Sequence, residues 1–391
     1  MREVYADHAA TTPIHPDAAQ VVLEVSMDYF GNPSSIHQFG RQARKQLDES
    51  REKLAATIGA AGDEIVLTSG GTESDNLAII GYAEAHRDKG SHIITTTIEH
   101  HAVLHTCQLL EEKGFNVTYL PVNDEGFLSP EALEAAITDD TILVTIMHGN
   151  NEVGSIQPLR ELARIAENHG IAFHVDAVQT YGLIPIDVKE IPVTMLSVSS
   201  HKINGPNGIG FLYVRRGTNL ASLLRGGEQE RKRRPGTESV AAAAGFAKAA
   251  ELAAVEQEEK FAAYQQLKDH FLASLRREGV HFIRNGSEAD SLPHIVNLCF
   301  PGTQVESFLV QLDLAGIAAA SGSACTAGSV EPSHVLEAMY SDHNRSLSSV
   351  RFSFGKGNTL GDTEYIAAEI KKITDKTVMR KEGRENNGTK K

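Results

Sequence analysis

Val193-Thr194-Met195-Leu196-Ser197-Val198 runs into Ser199-Ser200-His201-Lys202, and the turn Ile203-Asn204-Gly205-Pro206 parts it from Ile209-Gly210-Phe211-Leu212-Tyr213-Val214. Two short runs rich in β-branched and aromatic residues, separated by Gly and Pro, read as strands of a buried sheet. Lys202 then stands just off the end of a buried strand. Desolvation in such a place lowers the pKa of an amine and makes it a usable nucleophile, the requirement for a Schiff base. An ordinary lysine in a strand-to-strand loop fits the same stretch. The rest of the chain decides.

Strand-like runs at 64–68, 92–97, 117–121, 141–147 and 171–175 precede those at 193–198 and 208–214. Helical patterns at 102–113, 130–137 and 158–169 lie between them, and another runs from the turn Ser69-Gly70-Gly71-Thr72 toward Arg87. Strands alternating with helices predict an α/β fold: a large domain with a mostly parallel seven-stranded sheet flanked by helices. Ahead of it come a short strand at 4–6, an amphipathic stretch at 16–30 and a long helix reaching Gly59, capped by Ser34 or Ser35. The Ala-rich stretch 240–277 predicts a connecting helix, whole or broken. Strands at 280–283, 294–300 and 350–354 with a helix at 304–314 read as a smaller α+β domain. The expected limits are 14–255 for the large domain, 1–13 with 256–380 for the small one, and 381–391 for a disordered tail.

The 391 residues are 41% hydrophobic and 23% charged, the make-up of a folded globular protein. Asp and Glu number 51 against 37 Lys and Arg, for a net charge of −14. An acidic body of this kind argues against sequence-indifferent binding of nucleic acid, so no direct nucleic-acid partner is expected. No stretch approaches the roughly 20 apolar residues that span a bilayer, and the N-terminal residues lack a signal-peptide run, so no membrane is expected either. Cys107, Cys299 and Cys325 lie far apart, which is neither a disulfide framework nor a zinc knuckle; the reducing cytoplasm is the expected compartment.

Several strand ends carry polar residues that packing does not require. Ser69-Gly70-Gly71-Thr72, where a strand turns into a helix, reads as a phosphate cup or as a tight turn. Asp176 closes the apolar strand His174-Val175-Asp176, at the sheet edge where ligands of open α/β folds bind. An acid for a ring nitrogen and an amine for an aldehyde are the pair that a pyridoxal phosphate site needs. His100, in Glu99-His100-His101, is placed to lie over a ring and shuttle protons; with His105 it also reads as a metal cluster, which no nearby Cys or carboxylate supports, and no metal is expected. Asn151, in Asn150-Asn151-Glu152, ends another strand, and Arg351 stands inside the apolar run at 350–354, where a paired carboxylate is the usual reason. Cys325, in Ser321-Gly322-Ser323-Ala324-Cys325-Thr326, has the small, loop-like neighbours of a reactive thiol, whereas Cys107 and Cys299 read as core. The basic run Arg231-Lys232-Arg233-Arg234 is a solvated loop, a phosphate contact or a docking point.

Six segments taken in order carry a resemblance: Thr68-Ser69-Gly70-Gly71-Thr72-Glu73-Ser74-Asp75-Asn76, Asn150-Asn151-Glu152-x-Gly154, His174-x-Asp176-x-x-Gln179, Ser199-x-His201-Lys202, Arg234-x-Gly236-Thr237 and Ser321 to Thr326. Together they resemble the cysteine desulfurases of the NifS/IscS type, in the class V aminotransferase group of pyridoxal 5'-phosphate enzymes. The resemblance runs from about Tyr5 to about Lys372, and Ser200 departs from the glycine often found before His-Lys.

That resemblance implies a homodimer that takes sulfur from L-cysteine and leaves L-alanine and a persulfide. Lys202 would carry the cofactor as a Schiff base, Asp176 would pair with the ring nitrogen, Gln179 would bond the phenolic oxygen and His100 would stack on the ring. Gly71, Thr72, Ser199 and His201 would hold the phosphate, joined by Thr237 from the partner subunit. Asn151 and Arg351 would bind the substrate carboxylate, and Cys325 would take the sulfur for a sulfur-acceptor protein, an iron–sulfur scaffold or a tRNA-thiolating enzyme. A selenocysteine lyase or other β-lyase of the same fold, and an idle sulfur-transfer platform, are the alternatives; the intact Lys202 argues against the last.

Overall fold

The strands are β1 (Val4–Tyr5), β2 (Ile65–Thr68), β3 (His92–Thr96), β4 (Asn116–Leu120), β5 (Thr141–Met147), β6 (Ala172–Asp176), β7 (Met195–Ser199), β8 (Gly210–Val214), β9 (Ile283–Asn285), β10 (Ile295–Cys299), β11 (Ile317–Ala318) and β12 (Ser349–Ser353) in the computed structural model. It describes residues 2–322 and 332–388. Seven strands make one sheet in the order β2-β8-β7-β6-β5-β3-β4. The expected seven-stranded, mostly parallel α/β sheet is there. The antiparallel strand is β8, which pairs that way with both β7 and β2. The reason is local: the chain returns from Ser199 to Gly210 through the turn at Asn204–Pro206, a connection too short for a parallel crossover, which needs a dozen or more residues.

Strand composition explains the layers. All seven residues of β5, Thr-Ile-Leu-Val-Thr-Ile-Met, are buried, as a parallel strand covered on both faces requires. Phe173 and Val175 of β6 join Leu47, Ile58, Phe211 and Phe246 on one side. Ala172 joins Leu77, Val103 and Leu110 on the other. The Ala-rich stretch is two helices, Val240–Val255 and Gln257–Arg277, broken at Glu256.

Beyond the break lies a second core, in which Val4 and Ala6 meet Phe271, Phe308, Phe352 and Ile370. It is built on the antiparallel sheet β12-β10-β9 and the parallel pair β1-β11. The first strand therefore belongs with the last third of the chain. Between β1 and the large sheet, residues 7–12 cross from one core to the other, with a bridge from Asp7 to Ser353 and a bond from Thr12 N–H to the His201 carbonyl.

Two expectations change. The long helix is Gln38–Ala56, and His37 caps it by accepting from Gly40 N–H, so Ser34 and Ser35 stay outside. The final helix is Leu360–Gly388 and takes in most of the tail expected to be disordered, a stretch whose Lys, Arg and Glu are good helix formers. Among the described residues no helix is long and apolar enough to cross a membrane.

Candidate active site

The C-terminal ends of β2, β3, β5, β6 and β7 open on one cavity of roughly 280 Å³. Gly71, Thr72, His100, Asn151, Asp176, Gln179, Ser199, His201, Lys202 and Arg351 all line it. Ten residues singled out from sequence, spread over 280 positions (351 − 71), meet in one place.

Each is fixed by its element. Asp176 ends β6 and Ser199 ends β7, and the two strands are hydrogen-bonded neighbours, so Lys202 leaves the sheet beside Asp176. The helix Gly71–Ala85 starts just after β2, and Gly71 and Thr72 of its first turn line the cavity, where a helix start favours an anion. Gly71 packs so tightly on the loop after β6 that a Cβ there would lie 2.7 Å from Val178 Cγ2. Arg351 enters from β12, donating through Nη1 to the Asn151 carbonyl at 2.8 Å and through Nη2 to Asp7 Oδ1 at 2.8 Å. Its buried Nε has no hydrogen-bond partner among the described residues.

The electrostatics suit an anionic, ring-shaped guest. Burial pushes the Asp176 carboxyl up to about 6, against the Val178 N–H bond and the Lys202 charge, which pull it down. Burial, and then the Lys202 charge, lower His100 to about 4, and do the same for His201. Both rings are therefore neutral near pH 7, able to stack or bond without adding charge.

Four features escaped the sequence. Ala9 and Ala10 line the cavity, and their carbonyls accept from Lys202 Nζ, at 2.8 Å for Ala10; the Ala9 carbonyl also takes Gln179 Nε2 at 2.9 Å. Asp7 pairs with Arg351. Asp75, 1% exposed, lines the cavity; its Oδ1 lies 3.7 Å from His174 Nε2 but has no hydrogen bond among the described residues, and burial followed by the Asp176 charge raises its carboxyl well above the usual range. Glu99, fully buried, accepts from Thr96 Oγ1 at 2.6 Å and Met147 N–H at 2.8 Å, and burial raises it to about 8. The only sequence signal for Asp75 and Glu99 was a carboxylate inside a quoted motif, with nothing to show that it pointed inward.

The chain matches the aminotransferase class-V family over residues 4–366. It is 53% identical to a protein of Bacillus subtilis strain 168 named putative cysteine desulfurase IscS 1, over 96% of this chain and 100% of that one. This chain belongs to the class-V aminotransferases, in their cysteine desulfurase group. Among solved structures, a NifS-like protein superposes on this class-V chain with a TM-score of 0.89 at 36% identity, covering 96% of this chain and 100% of that one. A structure titled SspA in complex with cysteine gives 0.81 at 36% identity, covering 91% and 100%.

Two expected site residues of this class-V protein are not among those that line the cavity, for different reasons. Thr237 is exposed and does not line it. Cys325 lies outside the described residues, although Gly322, three positions earlier, is a lining residue. Cys107 and Cys299 are buried. The basic run mostly braces its own loop. Arg234 pairs with Glu73 at 2.8 Å, Arg233 donates to the Thr218 carbonyl, and Arg231 donates to the Asp63 carbonyl. Just before it, Glu230 makes a buried pair with Arg51 at 2.6 Å. His101 stacks on His105 at 5.0 Å, yet among the described residues no group of three or more His, Cys, Asp or Glu is arranged to hold a metal ion.

Proposed function

We propose that this protein is a cysteine desulfurase that uses pyridoxal 5'-phosphate to take the sulfur from L-cysteine and release L-alanine. The observation that carries the reading is Lys202 and Asp176 leaving adjacent parallel strands into one cavity, with Arg351 facing them from the second core. The cavity suits this cofactor on its own evidence. It has a helix start for an anion at Gly71 and Thr72, the Asp176 carboxylate and the Lys202 amine in the same lining, and a contact at Gly71 that only a glycine permits.

In this reading Gly71, Thr72, Ser199 and His201 would hold the phosphate, Asp176 would pair with the ring nitrogen, Gln179 would bond the phenolic oxygen and His100 would stack on the ring. When bound, the cofactor withdraws electrons from the substrate's Cα and makes its proton removable. Asp176 supports that by keeping a proton on the ring nitrogen. Lys202 would hold the cofactor through its aldehyde, and the Lys202 amine would be placed to take the substrate's Cα proton. Arg351 and Asn151 hold the substrate carboxylate, with the unpartnered Nε as a free donor. Cys325 follows Gly322 by three residues, a span of at most about 11 Å. Its thiolate attacks the substrate sulfur: an S–S bond forms, the C–S bond breaks, and the carbon keeps the electron pair and gains a proton. The products are alanine and a persulfide on Cys325.

The protein works in the cytoplasm as a homodimer in which Thr237 completes the partner's phosphate site. Two observations support the dimer: Thr237 is exposed, and Leu23, Met27, Phe30, Ile36 and Phe39 are exposed apolar side chains on the first two helices and the turn between them. The domains divide as 14–255, and 1–13 with 256–380, in keeping with the separate cores. The persulfide sulfur goes to an acceptor protein, an iron–sulfur scaffold or a tRNA-thiolating enzyme. Alanine formation from cysteine by the purified protein, with and without added pyridoxal phosphate, tests the reading. A protein that forms none, or that acts only on selenocysteine, contradicts it.

A further inference from the structure

Asp176 and Ser197 are register partners on β6 and β7, and Thr145 and His174 are partners on β5 and β6. His174 and Asp176 stand two apart on one strand, so all four side chains share one face of the sheet. On that face Leu143, Ala172 and Met195 pack on Leu77 and Ala78 of the helix Gly71–Ala85, which also carries Asp75. Asp75 therefore comes down onto a row of buried polar groups, with Oδ1 3.7 Å from His174 Nε2. The row is continuous: His174 Nδ1 lies 2.8 Å from Thr145 Oγ1, and Nε2 lies 2.9 Å from Ser197 Oγ. Burial lowers the His174 ring to about 3, so near pH 7 it is neutral, with one nitrogen donating and the other accepting.

Asp75 and Asp176 thus wall the same cavity, both buried, and a neutral His174 brings no positive charge to either. Their support is unequal. Asp176 Oδ1 accepts from Val178 N–H at 2.9 Å, and the Lys202 charge also favours its ionised form. For Asp75, burial, the Asp176 charge and Glu99 all oppose ionisation, and hydrogen bonding to Ser197 alone favours it. Two like charges in one dry wall are not both kept, so the proton stays where support is weaker. We propose that Asp75 is a positioning residue that keeps the proton of a buried two-carboxyl pair, leaving the charge on Asp176. The inference deepens the desulfurase reading and rests on it for the ring nitrogen that Asp176 would meet. It also fixes the direction of the row. A protonated Asp75 donates to Ser197 Oγ, Ser197 donates to His174 Nε2, and His174 Nδ1–H donates to Thr145 Oγ1. With Asp75 ionised every bond reverses, and the ring proton moves to Nε2.

The test reads the proton itself, on the full chain with and without pyridoxal phosphate. Infrared difference spectra of wild type against Asp75→Asn, a change that keeps the shape, report protonated carboxyls. Nitrogen-15 NMR reports the histidine tautomers, with the His174 signals assigned by their loss in His174→Gln. Near pH 7, Asp75→Asn is expected to lose one protonated-carboxyl band that wild type shows in both states. His174 in wild type is expected to carry its proton on Nδ1. Asp176→Asn removes the like charge, so Asp75 should give up its proton at a pH lower by about one or more, and the His174 proton should move to Nε2 at that same pH. No band lost in Asp75→Asn overturns the inference, and so does a His174 proton on Nε2 in wild type near pH 7. An Asp75 titration that Asp176→Asn leaves in place overturns the pairing of the two carboxyls. A chain that binds no pyridoxal phosphate and forms no alanine overturns the desulfurase reading, while the band and the tautomer of the cofactor-free chain still decide the pair.

Discussion

Arg351 Nη2 lies 2.8 Å from Asp7 Oδ1, so a residue of β12 and one just past β1 share a charge at the cavity wall. The arginine side chain is 4% exposed, and its Nε still lacks a partner among the described residues. A carboxylate ligand arriving there meets a guanidinium already held in position. Arg351→Lys keeps the charge and loses the planar fork. We expect KM for cysteine to rise about ten- to a hundredfold, the worth of a charge-assisted hydrogen bond of roughly 1.5–3 kcal/mol, with kcat less affected. A KM within about twofold of wild type contradicts that role.

Gly71 offers a test of cofactor binding apart from turnover. Alanine at 71 places a Cβ 2.7 Å from the stiff Val178 side chain and forces the helix start off the loop after β6. At about 1–3 kcal/mol of overpacking, the affinity for pyridoxal phosphate should fall roughly tenfold or more, measured by titrating the cofactor absorbance. Unchanged affinity would mean that the phosphate sits elsewhere.

Stability depends on pH through two sets of buried groups that act in opposite directions. Six histidines, His8, His100, His148, His174, His201 and His294, are lowered by burial to about 3 or 4. Between about pH 4 and 6.5 the unfolded chain holds protons that these folded rings refuse, so stability rises with pH. Asp176 and Glu99 oppose this. Their folded carboxyls stay protonated to about 6 and about 8, so each loses stability as pH rises through that range. Asp75, whose carboxyl burial also raises, joins the opposing side; six groups still outweigh three below about pH 6.5, and above it the raised carboxyls act without the histidines. The melting temperature of cofactor-free protein should therefore peak near pH 6.5 and decline toward 8, and Glu99→Gln should flatten the decline. A melting temperature still climbing at pH 8 refutes the assignment.

Much of this was legible because the signals were local. The apolar runs at 141–147 and 193–198 announce buried strands by composition, and Asp176 and Lys202 stand at strand ends where packing has no use for them. Position in the motifs gave the rest of the cavity wall. Contacts across the chain left no local trace. The Ala9 and Ala10 carbonyls reach Lys202 from more than 190 residues away, and alanine carries no chemistry to notice. Asp75 and Glu99 were visible as letters, but their inward aim depends on how their elements rotate against the sheet. The Arg231–Arg234 run looked like a surface feature because charge alone cannot reveal that Arg234 is matched to Glu73. The tail past 380 looked unstructured from its charge and Asn-Gly content, while its helix propensity carries it to Gly388.

The central claim is that Lys202 activates the substrate and Cys325 removes its sulfur. Holoenzyme mixed with a limiting amount of L-cysteine, without reductant, should yield alanine and sulfur on the Cys325 peptide in equal amounts, and Cys325→Ala should yield neither above background. Alanine produced at the wild-type rate by Cys325→Ala, or sulfide released while Cys325 stays unmodified, would contradict the account.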